Sequence, residues 1–167
     1  MVLGLSIETF TIVHVIISLV AIVSGLVVLA GMFGSHRLPG WTAFFLIMTI
    51  LTSVTGFMFP IHGFTPALGV GAFSMLLLAI ALVALYRNHL FGAWRWIFVV
   101  VAIAALWVNV FVLIAQAFLK VPALHALAPN GNEPPFLIAQ AVALIAFVVL
   151  GALAAIKFRP VLEATRS

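Results

Sequence analysis

Cysteine is absent from this 167-residue chain, and that absence removes disulfides, thiolate metal sites, iron–sulfur clusters and palmitoyl or lipoprotein anchors together. Charge is scarce as well. Charged residues fill 6% of positions, and only three acids stand against seven Lys and Arg. With no paired carboxylates inside an apolar run, a carboxylate-driven proton pump has no support. Neither a Ser-His-Asp set, a Gly-rich phosphate loop nor a zincin helix is present, which leaves hydrolase and phosphotransferase chemistry unsupported and the balance against an enzyme. The basic residues sit singly between apolar runs, so the net charge of +4 does not describe a nucleic-acid surface.

What fills the chain instead is hydrocarbon. Hydrophobic residues make up 66% of it, and the mean hydropathy of +1.41 exceeds what a soluble domain carries without aggregating. A bilayer core about 30 Å thick needs roughly 20 apolar residues at 1.5 Å each. By that measure the chain is expected to be all-α, a single-domain bundle of five transmembrane helices spanning about 9–33, 41–60, 65–86, 93–119 and 135–157. The division between the second and third spans rests on "FPIHGFTP", where Pro60 and Pro66 interrupt a run free of Asp, Glu, Lys and Arg from Leu38 to Tyr86. Proline disfavours helix in the residue before it, and Thr65–Pro66 reads as an N-cap followed by a first-turn proline. The first run follows no basic leader and contains no break, so it reads as a retained span rather than a signal peptide.

Five spans put the termini on opposite faces. Arg37, Arg87, Arg95, Lys157, Arg159 and Arg166 share one face, and Lys120 alone lies on the other. The positive-inside rule then gives a cytoplasmic C-terminus and an outer N-terminus. Trp41, Tyr86, Trp94 and Trp96 gather at the same cytoplasmic ends, where amphipathic rings prefer to sit. The outer loop 121–134, "VPALHALAPNGNEP", is long enough to fold over the outer mouth of the bundle.

Polar side chains inside a span are costly and face the bundle interior or a water-filled cavity by default. Here they cluster by depth: His14, Gln116, Gln140, the more central Asn109, and the threonines and serine of "LTSVTGF" all fall toward the outer half. Thr11, His14 and Ser18 share one helix face, as do Asn109 and Gln116. Two readings stand. These groups line a pocket open to the outside, or they are interhelical hydrogen bonds that hold helices together. The opposite half of the bundle is expected to be inert apolar packing.

His14, His62 and His125 all lie toward the outer surface, and neutral imidazole ligates zinc, copper or haem iron. No pair has a dedicated local spacing, so a metal or haem b site would have to be assembled from separate elements. Asn, Gln and His without a buried acid suit a neutral acceptor such as a quinone headgroup better than a translocated cation. Glu8 and Glu133 each precede a helix and read as caps favoured by the helix dipole.

The stretches "LTSVTGFMFP", "GAWRWIFVV", "VNVF", "QAFLKVPALHALAP" and "EPPFLIAQ", between about Leu51 and Gly151, resemble a group of small multi-pass membrane proteins of proteobacteria. The resemblance implies a bacterial inner-membrane location with spans two to five as the common unit, and it implies no catalytic residue. The functional expectation is a periplasm-facing polar pocket, formed by His14, His62, Asn109, Gln116, His125 and Gln140, that binds a small molecule or redox cofactor. A non-catalytic subunit of a larger membrane complex is the alternative, and a homo-oligomeric channel or transporter a second one. The lipid bilayer is the expected partner.

Overall fold

A computed structural model of the chain describes residues 2–60, 63 and 65–160. Among these residues, five helices are long and apolar enough to cross a membrane. They are α1 (Ile7–Phe33), α2 (Pro39–Phe57), α3 (Pro66–Leu82, continued by a π-turn at Val83–Arg87), α4 (Ala93–Lys120) and α6 (Pro134–Lys157), with a single short turn, α5 (Pro122–His125), between the last two. With the π-turn counted in the third, the shortest span is α2, which still reaches about 28 Å at 1.5 Å per residue.

The starts of these helices follow from local chemistry. Proline opens α2, α3, α5 and α6, where its missing N–H is no loss and its fixed φ suits the first turn. Ser6 opens α1 by accepting the Thr9 N–H at 3.1 Å, and Thr65 opens α3 by accepting that of Leu68. Glu8 falls in the first turn of α1, where a carboxylate complements the dipole. Glu133 departs from the cap expected of it. It occupies the N-cap position of α6 without bonding the helix, and its carboxylate turns back to accept from the Asn130 and Asn132 N–H groups and from Asn130 Nδ2. Desolvation pushes its pKa up, but those hydrogen bonds outweigh the penalty and hold the carboxyl below the usual range.

The expected spans stand with shifted ends. The second closes at Phe57 rather than near 60, and the third runs on through the π-turn to Arg87. The loop 121–134 contains α5, because Pro122 starts a turn of helix just after Lys120.

Helices α1 to α4 form a ring in chain order, closed by contact between α4 and α1, and α6 packs outside it against α4 and α1. Half of the most apolar window of α4 is buried, against 11% of that of α6, so α4 is the axis of the fold and α6 its most exposed strut. Close approach in the ring depends on Gly25. A Cβ there would stand 2.6 Å from Leu106 Cδ1 and 2.8 Å from the Phe45 ring, so α1 meets α2 and α4 at a distance that only glycine permits. Elsewhere Gly71 is covered by the Phe57 ring and Gly151 faces Ile103.

The two ends of the bundle differ. One carries the starts of α1, α3 and α6 with Glu8, Lys120 and Glu133, and is called the N-terminal rim below. The other carries Arg37, Arg87, Arg95, Lys157 and Arg159, and is called the basic rim. Arg166 lies outside the described residues.

Candidate functional site

Many of the hydroxyls that make these helices look polar are satisfied by their own helix. Thr11 donates to Ile7 O, Ser18 to His14 O, Thr49 to Phe45 O, Thr52 to Met48 O and Thr55 to Leu51 O, the bond a serine or threonine makes to the preceding turn. Their hydrogens are spent locally, and their oxygens remain as acceptors.

Those acceptors are used between helices. His14 Nδ1 lies 2.7 Å from Thr55 Oγ1, linking α1 to α2. Because the Thr55 hydrogen goes to Leu51 O, the imidazole is the donor, and this assignment leaves Nε2 with its lone pair. The ring also stands edge-on to Phe59, which in turn meets Phe10. Deeper in the bundle, Asn109 Nδ2 donates to Thr49 Oγ1 at 3.4 Å across the ring from α4 to α2. Ser53 donates to Ser74 at 3.3 Å between α2 and α3. Gln140 on α6 donates through Nε2 to Phe111 O on α4, while its Oε1 and the nearby helix's Trp107 Nε1 are buried without a partner among the described residues.

The expected residues are therefore not gathered at one point. His14, Asn109 and Gln140 each serve a different helix pair, Gln116 is exposed, and His125 stands exposed at the end of α5. His62 lies outside the described residues, and the proposed His14, His62 and His125 set with it. Among the described residues no group of three His, Cys, Asp or Glu could hold a metal ion.

Depth nevertheless organises part of the set. On α4 the residues Phe98, Ala102, Ala105, Asn109, Leu113 and Gln116 follow one another along a single stripe at helical spacing, and the Asn109 bond to Thr49 shows that this stripe faces the middle of the ring. The first four are buried, and the last two are exposed. The facing stripe of α1 changes in the same way, from buried Gly25 and Ala21 to half-buried Ser18 and His14. Above Asn109 the α4 side of the ring becomes exposed, whereas on α1 Phe10, one turn beyond His14, is buried again against Phe59. At the level of closure lie Thr49, Ser53, Ser74 and Asn109, joined in two pairs by long hydrogen bonds, Asn109 to Thr49 and Ser53 to Ser74.

The basic rim is not the inert packing expected of it. A cavity of about 140 Å³ opens there, bordered by the start of α2, the π-turn and the loop after it. Sequence reasoning also missed Arg95, which donates to the Ala155 and Phe158 carbonyls and so ties the start of α4 to the end of α6. The signal was available, since an antiparallel neighbour brings a cation to a helix C-terminus, where the dipole favours it.

No family model, curated protein or solved structure matches the chain.

Proposed function

We propose that this chain is a small protein of the bacterial inner membrane, its N-terminal rim facing the periplasm, whose recess above Asn109 on the α4 side binds a neutral, membrane-soluble molecule with a hydrogen-bonding head, for which a quinone is the fitting class. The observation that carries this reading is the change along α4 from buried Asn109 to exposed Leu113 and Gln116 on one inward stripe. Polar groups of a recess in a membrane bundle mark ligand paths by default. Those at its base, Thr49, Ser53, Ser74 and Asn109, are uncharged, which suits a carbonyl headgroup rather than an ion. The resemblance to proteobacterial inner-membrane proteins and the excess of basic residues on the opposite rim support the location and orientation. Haem b or a metal ion fits less well, because His14 is the one imidazole on the recess wall among the described residues and its Nδ1 already bonds Thr55.

The test is extraction and mass spectrometry of lipid-soluble compounds that co-purify in mild detergent, together with a visible spectrum. A stoichiometric quinone or similar ring carbonyl, lost from Gln116→Leu protein of unchanged stability, supports the proposal. Protein free of such a compound, and without affinity for added short-chain quinone, rejects it.

A second reading has one observation in its favour. On α6 Ala154 alone is buried, and Ile138, Val142, Ile145, Val148 and Ile156 are all more than half exposed. Lipid covers such a face, and so does a partner subunit in a larger membrane complex. Native gels in mild detergent distinguish the two by size.

A further inference from the structure

We propose a second, separate site: the cavity at the basic rim binds a phosphate-bearing anion, its shape and position fitting the headgroup of an anionic phospholipid. It does not depend on the recess at the other end.

The cavity has a dry floor and a polar mouth. Phe98, Leu90 and Phe158 are buried at its base, while Arg37, Tyr86 and His89 line it as exposed residues. Its volume of about 140 Å³ is close to the roughly 150 Å³ that holds a benzene-sized molecule in an engineered core, which is room for a phosphoryl group.

Among the described residues the charges at this rim are of one sign. Arg37, Arg87, Arg95, Lys157 and Arg159 share this rim, whereas Glu8 and Glu133, the acids among the described residues, begin α1 and α6 at the opposite end. No carboxylate among the described residues lies at this rim to pair with Arg37, and basic pockets between membrane helices are met by lipid phosphates. The start of α2 borders the cavity through Pro39 and Thr42. No side chain caps this helix, and the N–H groups of Gly40 and Trp41 have no hydrogen-bond partner among the described residues. The Thr42 hydroxyl donates to the Arg37 carbonyl at 3.0 Å, which fixes the backbone that carries the arginine against the cavity wall.

The backbone at this rim is held in uncommon conformations. Tyr86 sits in the π-turn, and Leu38, His89 and Leu90 have φ of 43°, 48° and 63°, a region that bulky side chains rarely adopt. Strain of this kind collects where surrounding structure fixes a ligand clamp.

The test uses the full chain in detergent, titrated with dihexanoyl phosphatidylglycerol, dihexanoyl phosphatidylcholine or inorganic phosphate, with the thermal midpoint as readout. A saturable rise with phosphatidylglycerol but not with phosphatidylcholine is expected. The midpoint concentration should rise about tenfold in Arg37→Gln/His89→Gln, in line with loss of a charge-assisted hydrogen bond, and should not move in Lys120→Gln at the far rim. Each single variant is measured too, since both side chains are exposed and their loss leaves the fold intact. An equal shift with inorganic phosphate, with the same dependence on Arg37 and His89, supports the site and assigns it to free phosphate. No shift with phosphate alone assigns it to the lipid. Equal stabilisation by phosphatidylcholine, an unaffected Arg37→Gln/His89→Gln protein or an equal loss in Lys120→Gln overturns the proposal.

Discussion

Asn109 is the residue at which packing and binding make opposite demands, and a double-mutant cycle with Thr49 separates them. The bond between them is 3.4 Å long, against a usual 2.9 to 3.0 Å, and Thr49 takes part only as an acceptor because its hydrogen goes to Phe45 O. Interhelical hydrogen bonds in membrane proteins average about 0.6 kcal/mol and reach about 1.7, so a bond this long is expected to contribute no more than the average. Asn109→Leu and Thr49→Val should each change stability by less than about 1 kcal/mol, with a coupling of about 0.5 kcal/mol or below. Unfolding in mixed micelles of rising dodecyl sulfate fraction, followed by tryptophan fluorescence, measures all four proteins of the cycle. Over the same series the affinity for a short-chain quinone should fall about tenfold with Asn109→Leu, the loss of a neutral hydrogen bond at the upper end of its range. A coupling of about 1.5 kcal/mol or more, with quinone affinity unchanged in Asn109→Leu, would mean that the amide is kept to join α4 to α2 and would refute the reasoning.

Three further outcomes follow from the geometry. Gly25→Ala places a methyl within 3 Å of Leu106 and Phe45; overpacking of about 1 to 3 kcal/mol, partly offset by about 1 kcal/mol of helix propensity, should lower the unfolding midpoint, and an unchanged midpoint would contradict the close approach. Arg95→Gln weakens two bonds to the end of α6, so hydrogen exchange at residues 155–158 should accelerate with a stability loss of about 1 kcal/mol after allowance for solvent screening. The depressed pKa of Glu133 means that its contribution is present above the unfolded value of about 4.3 and is lost as pH falls through the lower folded value. Exchange in the 126–133 loop should therefore quicken on acidification below about pH 4, and Glu133→Gln should show that faster exchange already at neutral pH.

The five spans were legible because hydrocarbon content and proline placement act locally. Pro39, Pro66 and Pro134 each begin a helix whatever packs against it, and length alone tells a spanning segment from a shorter one. The polar set was legible in depth and only partly in direction. Thr11, Ser18, Thr52 and Thr55 look like an interior polar face in sequence, but their hydroxyls bond the preceding turn, a satisfaction that spacing does not reveal. Asn109 and Gln116 share a stripe as their seven-residue spacing requires, yet one is buried and the other exposed, since where a ring closes depends on neighbours far away in the chain. The basic-rim cavity was invisible for a different reason. It is built from the start of α2, a π-turn and left-handed Leu38, His89 and Leu90, and no residue preference announces a leucine at positive φ.

Mass spectrometry of the lipid-soluble compounds carried by wild-type and Gln116→Leu protein, normalised to protein and paired with the unfolding midpoint of each, bears most directly on the recess above Asn109. A neutral ring-carbonyl compound near one per chain in the wild type, reduced several-fold in the variant at an equal midpoint, is the expected result. Wild-type and Gln116→Leu proteins that carry the same compounds in the same amounts, or none while also failing to bind added quinone, would contradict it.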